Sequence, residues 1–130
     1  MAEPSELPLP PRELMSGVGL DPDDRLEIAY LLIGEDLKAR VMGLLGPDWS
    51  WEGRRALDFG CGSGRLLRQF AEEARVAEFH GSDLDERMVS WVRENLCPPI
   101  AGAEVNRERP PLAYPDGHFD LVMAASVFTH

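Results

Sequence analysis

The chain has 130 residues with 23 acidic against 13 basic side chains, and its net charge of −10 repels a polyphosphate backbone, so nucleic acid is not the expected partner. Hydrophobic residues at 44% and charged residues at 28% exclude wholesale disorder and a fibrous protein, and the length suits one domain with one core. Cys61 and Cys97 form no CxxC pair and have no His or Cys at ligand spacing, so no metal is expected.

The N-terminus shows no basic stretch leading into an apolar run, and no segment approaches about 18 continuous apolar residues, the length a membrane span needs. No membrane partner is expected, and a reducing, cytoplasmic compartment fits the cysteine usage. Residues 1–22 begin with Pro4, Pro8, Pro10 and Pro11, a composition that cannot offset its ordering entropy and predicts a flexible arm. Residues 23–53 follow as a helical segment and connector. Carboxylates over Asp21 to Asp24 offer caps, and Leu26, Tyr30, Ile33, Leu37, Val41 and Leu44 recur at three- and four-residue steps, which predicts an amphipathic helix ending near Gly46-Pro47. Gly34 predicts a kink or break within it. Trp49 and Trp51 are packing anchors of the connector.

From residue 54 to 130 short apolar runs alternate with helical stretches, the pattern of a parallel sheet. Strands are predicted at Arg55 to Phe59, Glu78 to Ser82, Ala103 to Val105 and Phe119 to Ala125, the last a continuous apolar run typical of a strand covered on both faces. Helices are predicted at Gly64 to Ala74 and Glu86 to Leu96. Arg54, Arg55, Arg65 and Arg68 flank a turn and are expected to form a solvated rim. The fold class is therefore α/β, a Rossmann-like doubly wound and mainly parallel sheet of about four strands, incomplete, with an N-terminal helical cap.

Chemistry concentrates in Leu57-Asp58-Phe59-Gly60-Cys61-Gly62-Ser63-Gly64-Arg65. Gly60, Gly62 and Gly64 follow a predicted strand and open a predicted helix, where a missing Cβ lets the backbone turn sharply and a ligand approach. The helix start is expected to aim unpaired N–H groups at a carboxylate or phosphate. A dinucleotide fingerprint needs its third glycine where Arg65 stands, and a P-loop needs a lysine that is absent. About 20 residues further on, Asp83 ends the second strand, where an acidic group can accept both hydroxyls of a ribose; the alternative is a helix cap. Asp85 is expected to cap the following helix.

The runs LDFGCGSGR, GSDLDERMV with WVRENL, and PPLAYPDGHFDLVMAASVFTH resemble successive motifs of the class I S-adenosylmethionine-dependent methyltransferase family, over residues 54–130. The resemblance implies S-adenosylmethionine as cofactor, with Asp58 and the turn of Gly60, Cys61, Gly62 and Gly64 holding its methionine portion. It also implies Asp83 on the ribose and Leu84 beside the adenine. Asn106, after the third strand, would border the adenine edge or serve as an ordinary turn residue. His130 is the candidate catalytic base, with a structural or solvent-facing role as the alternative. Cys61 fits the turn through its size, and packing outweighs nucleophilic chemistry there.

Two hypotheses follow from the resemblance. One is a methyltransferase acting on a small-molecule or other non-nucleic-acid acceptor, represented by its cofactor-binding half. The other is a non-catalytic S-adenosylmethionine-binding or interaction module that completes its sheet with a partner chain. A full domain of this family continues past the fourth strand, so a fragment of a longer product is expected, with association through an unpaired fourth-strand edge as the alternative.

Overall fold

The computed structural model describes residues 6–15, 26–106 and 117–124. Helix α1 spans Leu26–Leu45, strand β1 Arg55–Phe59, β2 Glu78–Asp83, helix α2 Glu86–Asn95, β3 Gly102–Val105 and β4 Leu121–Met123. The strands form one sheet in the order β3-β2-β1-β4, and every pairing is parallel. That is the α/β arrangement expected. The strand order reverses beside β1, which in open parallel sheets opens a crevice outside the carboxyl ends of the strands.

Residues opposite one another in register share a face of the sheet. Ala56 and Asp58 thus lie alongside Phe79 and Gly81 of β2 and Leu121 and Met123 of β4. This face carries the core. Phe79 stacks on Phe70 with centroids 4.8 Å apart, and Trp51 closes on Phe70 at 5.2 Å and Phe79 at 5.1 Å. Val89 and Val92 of α2 and its C-cap Leu96 enter the same cluster, and burying each such side chain stabilises the fold by about 1.5–3 kcal/mol. Asp85 is the N-cap of α2, accepting the Arg87 N–H at 2.9 Å.

Helix α1 runs unbroken past Gly34, contrary to the expected kink. A Cβ at Gly34 would stand 2.5 Å from the Arg65 carbonyl oxygen and 3.0 Å from Gln69 Nε2, so glycine serves here to let two backbones touch. One turn on, Lys38 donates to the Gln69 carbonyl at 2.9 Å and pairs with Glu73 at 2.8 Å. The face bearing Tyr30, Gly34 and Lys38 therefore lies along the segment after the glycine turn.

That segment is not the regular helix expected over 64–74. It forms short 3-10 turns at Leu67–Phe70 and Glu73–Arg75, while Leu66, Ala71 and Glu72 keep right-handed helical dihedrals. One bond spans four residues, Arg68 N–H to Gly64 oxygen, and the next, Gln69 to Leu66 and Ala71 to Arg68, span three. The tighter winding accompanies burial of every side chain from Leu66 to Ala71, a demand that the periodic pattern of a one-sided helix does not anticipate.

The N-terminal segment also departs from expectation where it is described. Leu7, Leu14 and Met15 are buried, and a short 3-10 turn occupies Arg12–Leu14. Its anchor is Arg68, whose guanidinium donates to the carbonyls of Leu7 at 2.7 Å and Pro8 at 3.0 Å. Arg68 is wholly buried and Arg65 half-buried, so these two do not belong to a solvated rim; Arg54 and Arg55 remain exposed enough to pair with Asp120 and Glu78.

Strand β4 is shorter than expected and is not covered on both faces, since Val122 is 57% exposed. It forms one outer edge of the described sheet. No described helix is long and apolar enough to cross a membrane, and no cluster of three metal-type side chains occurs among the described residues.

Candidate functional site

The glycine turn follows β1 directly, and Gly60, Gly62 and Gly64 take φ of 78°, 56° and 88°. Side chains rarely adopt this left-handed backbone, so the turn depends on glycine at these positions. A Cβ at Gly62 would meet nothing within 4 Å, which leaves open space over the middle of the turn. Two bonds tie the turn to β2: the N–H groups of Gly60 and Cys61 both donate to the Ser82 carbonyl, at 2.8 and 2.9 Å.

The carboxylate of Asp83 completes that attachment. Its Oδ2 accepts the Gly62 N–H at 2.9 Å and its Oδ1 the Asp85 N–H at 2.9 Å. An ionised carboxylate has about four acceptor positions, so two remain for hydroxyl donors. Asn106 N–H in turn donates to the Asp83 carbonyl at 2.8 Å, which brings the ends of β2 and β3 together, and Leu84 between them is 61% exposed. Asp58, Gly60, Gly62, Gly64, Asp83, Leu84 and Asn106 thus share the carboxyl end of the sheet.

Cys61 stands apart from that group. Its sulfur packs beneath Gly81 in the core, and burial pushes the thiol well above its usual pKa. His130 lies outside the described residues, as do Tyr114 and the Asp21 to Asp24 carboxylates.

The N–H groups of Gly60, Cys61, Gly62 and Gly64 each have a protein acceptor. Two ionisable side chains also stand at the turn. Asp58 is completely buried, with no hydrogen bond to either oxygen among the described residues. Desolvation, aided by repulsion from Asp83 and opposed by Arg65, raises its pKa from 3.8 to about 8. Arg65, half-buried, makes no hydrogen bond or ion pair with any described residue, and its charge couples to Asp58 and Tyr30.

A buried carboxyl group without a described partner and a half-exposed guanidinium at one turn are complementary to a zwitterion, the charge pattern of an amino acid. The residues present therefore fit a cofactor with a methionine end and a ribose. Sequence reasoning missed Arg65, although its place directly after the third glycine was a usable signal. It also missed the contact of Tyr30 with Ser63, for which an apolar helix stripe gave none.

The family model described as a methyltransferase domain matches residues 56–130, more than half of the chain, and the chain belongs to that family. The mouse 7SK snRNA methylphosphate capping enzyme is 37% identical over 62 residues, covering 48% of this chain and 9% of that protein. Among solved structures, a TehB-like SAM-dependent methyltransferase from Corynebacterium glutamicum is similar at 24% identity and TM-score 0.49, over 66% of this chain and 42% of that one. Coclaurine N-methyltransferase is similar at 16% identity and TM-score 0.49, over 89% and 36%. The chain thus spans less than half the length of each of these proteins.

Proposed function

We propose that this chain binds S-adenosylmethionine at the carboxyl end of its sheet and supplies the cofactor-binding part of a methyltransferase. The observation that carries the reading is Asp58, a buried carboxyl group with no hydrogen-bond partner among the described residues, next to a glycine turn whose Gly62 N–H is held by Asp83. In this reading Asp58 and Arg65 match the ammonium and carboxylate of the methionine end, Asp83 accepts the ribose hydroxyls, and Leu84 and Asn106 border the adenine. The cofactor supplies an activated methyl group. The protein's contribution is to hold it in one orientation.

The charge balance favours one class of acceptor. A chain at −10 repels polyanions, which supports a small-molecule or other non-nucleic-acid acceptor. The similarity to the mouse snRNA capping enzyme favours a second reading, an RNA acceptor, which needs a local basic surface to overcome that field. The outer edge of β4 is where further strands, of this chain or of a partner, would extend the sheet. If those strands come from a partner, the chain is a binding module of a larger assembly.

Calorimetry against S-adenosylmethionine, S-adenosylhomocysteine and NAD tests the cofactor. The first two should bind and NAD should not; binding of NAD alone overturns the reading. Transfer of labelled methyl groups to RNA oligonucleotides or to a small-molecule panel then separates the two acceptor classes.

A further inference from the structure

Three residues one helical turn apart dock α1 on the segment after the glycine turn, and only the first of them reaches the turn itself. Tyr30 is 1% exposed, and its hydroxyl lies 2.8 Å from Ser63 Oγ and donates to the Ser63 carbonyl at 3.3 Å. Ser63 is itself buried and stands between Gly62 and Gly64, both at positive φ. A residue flanked by two glycines is otherwise the freest point of the turn, and fixing a residue's backbone costs about 1–2 kcal/mol.

The turn is thereby gripped from two sides at adjacent residues: Asp83 of β2 holds Gly62, and Tyr30 of α1 holds Ser63. We propose that Tyr30 is a positioning residue, which acts through Ser63 to preset the glycine turn for the amino-acid end of the cofactor. The inference rests on the proposed function above. A turn ordered before binding does not have to be ordered by the ligand, so the bond raises affinity without touching it. Arg68, whose guanidinium lies 5.9 Å from the Tyr30 ring while holding Leu7 and Pro8, joins the N-terminal segment to the same grip.

The test is a double-mutant cycle on the full chain with S-adenosylhomocysteine as probe, using Tyr30→Phe, Ser63→Ala and the double variant. Titrations are run well below each unfolding temperature. Tyr30→Phe, which loses the contacts to both Ser63 Oγ and the Ser63 carbonyl, should weaken binding at least about five-fold, the net worth of one hydrogen bond; Ser63→Ala, which keeps the carbonyl contact, should weaken it by no more than Tyr30→Phe does, and the double variant should bind no worse than Tyr30→Phe. Tyr30→Phe keeps the buried ring, and Ser63→Ala reaches the same bond from the turn without altering α1.

Single variants that bind as tightly as wild type, even with a lowered Tm, overturn the positioning role and show Tyr30 to be structural. Losses that multiply in the double variant also overturn it, because the two groups then act separately. A wild-type chain that does not bind S-adenosylhomocysteine overturns the underlying reading instead.

Discussion

The Gly62 N–H donates to Oδ2 of Asp83 at 2.9 Å, joining two residues 21 apart in sequence across the first and second strands. One side chain therefore both shapes the turn and presents its remaining lone pairs beside it. Asp83→Ala removes two charge-assisted bonds, to Gly62 and Asp85, each worth about 1.5–3 kcal/mol. Affinity for S-adenosylhomocysteine should fall by at least about ten-fold, with a lower unfolding temperature; calorimetry and thermal melts measure the two effects. Asp83→Asn should fare little better, since its amide meets a backbone donor with a donor on one side. Unchanged affinity in both variants would remove Asp83 from the site.

Asp58 makes stability depend on pH. Its pKa is 3.8 ordinarily and about 8 in the fold, so between these values the folded chain holds a proton that the unfolded chain has lost. The stabilisation from that proton is fully present below about pH 4 and is lost as pH rises toward 8. Stability of the free protein should fall through this window by up to about 1.4 kcal/mol per pH unit. The groups setting the shift besides burial are Asp83, which raises it, and Arg65, which lowers it. Denaturant titrations across the window should show the slope in wild type and not in Asp58→Asn. A cationic ligand end at the turn should also expel the proton, so binding enthalpy near pH 7 should track the ionisation enthalpy of the buffer.

The motifs legible in the sequence were those in which one residue's chemistry suffices. Three glycines after an apolar run announced the turn, and an acidic residue after the next run announced Asp83, because strand alternation and turn chemistry are local properties. The segment 64–74 was misread because its winding over residues 66–71 answers to burial all round, which depends on what α1 and β2 bring against it. Arg68 was misread for a related reason. Its carbonyl partners lie 60 and 61 residues away, and no local pattern reports such a contact. Asp58 was placed correctly near the strand end, but its raised pKa arises from three-dimensional enclosure and the nearness of Asp83, which no local pattern reports.

Gly34 and Gly43 share α1 but predict opposite outcomes. Gly34→Ala puts a methyl group 2.5 Å from the Arg65 carbonyl, a backbone atom that cannot rotate away, and should cost about 1–3 kcal/mol. A Cβ at Gly43 meets nothing within 4 Å, so Gly43→Ala should gain up to about 1 kcal/mol from helix propensity alone. Chemical denaturation of the two variants decides the point. If Gly34→Ala is also stabilising, α1 does not approach the turn segment as closely as the structure places it.

Arg68 supports the last prediction, because its buried guanidinium ties the backbone of the N-terminal segment to the core at two carbonyls. Arg68→Met keeps an apolar stem of similar length and deletes the donors to Leu7 and Pro8. Those carbonyls then lose charged partners, and the chain should lose roughly 2–4 kcal/mol of stability. The loss should be local before it is global. Hydrogen exchange should quicken first at Leu14 and Met15, whose N–H groups bond to Pro11 and Arg12 within the short N-terminal turn. Protection at Phe79 and Gly81, in the second strand, should change only by the global decrement. If Leu14 and Met15 keep their protection in Arg68→Met, the segment is held without the guanidinium, through burial of Leu7, Leu14 and Met15 and the pairing of Arg12 with Glu27.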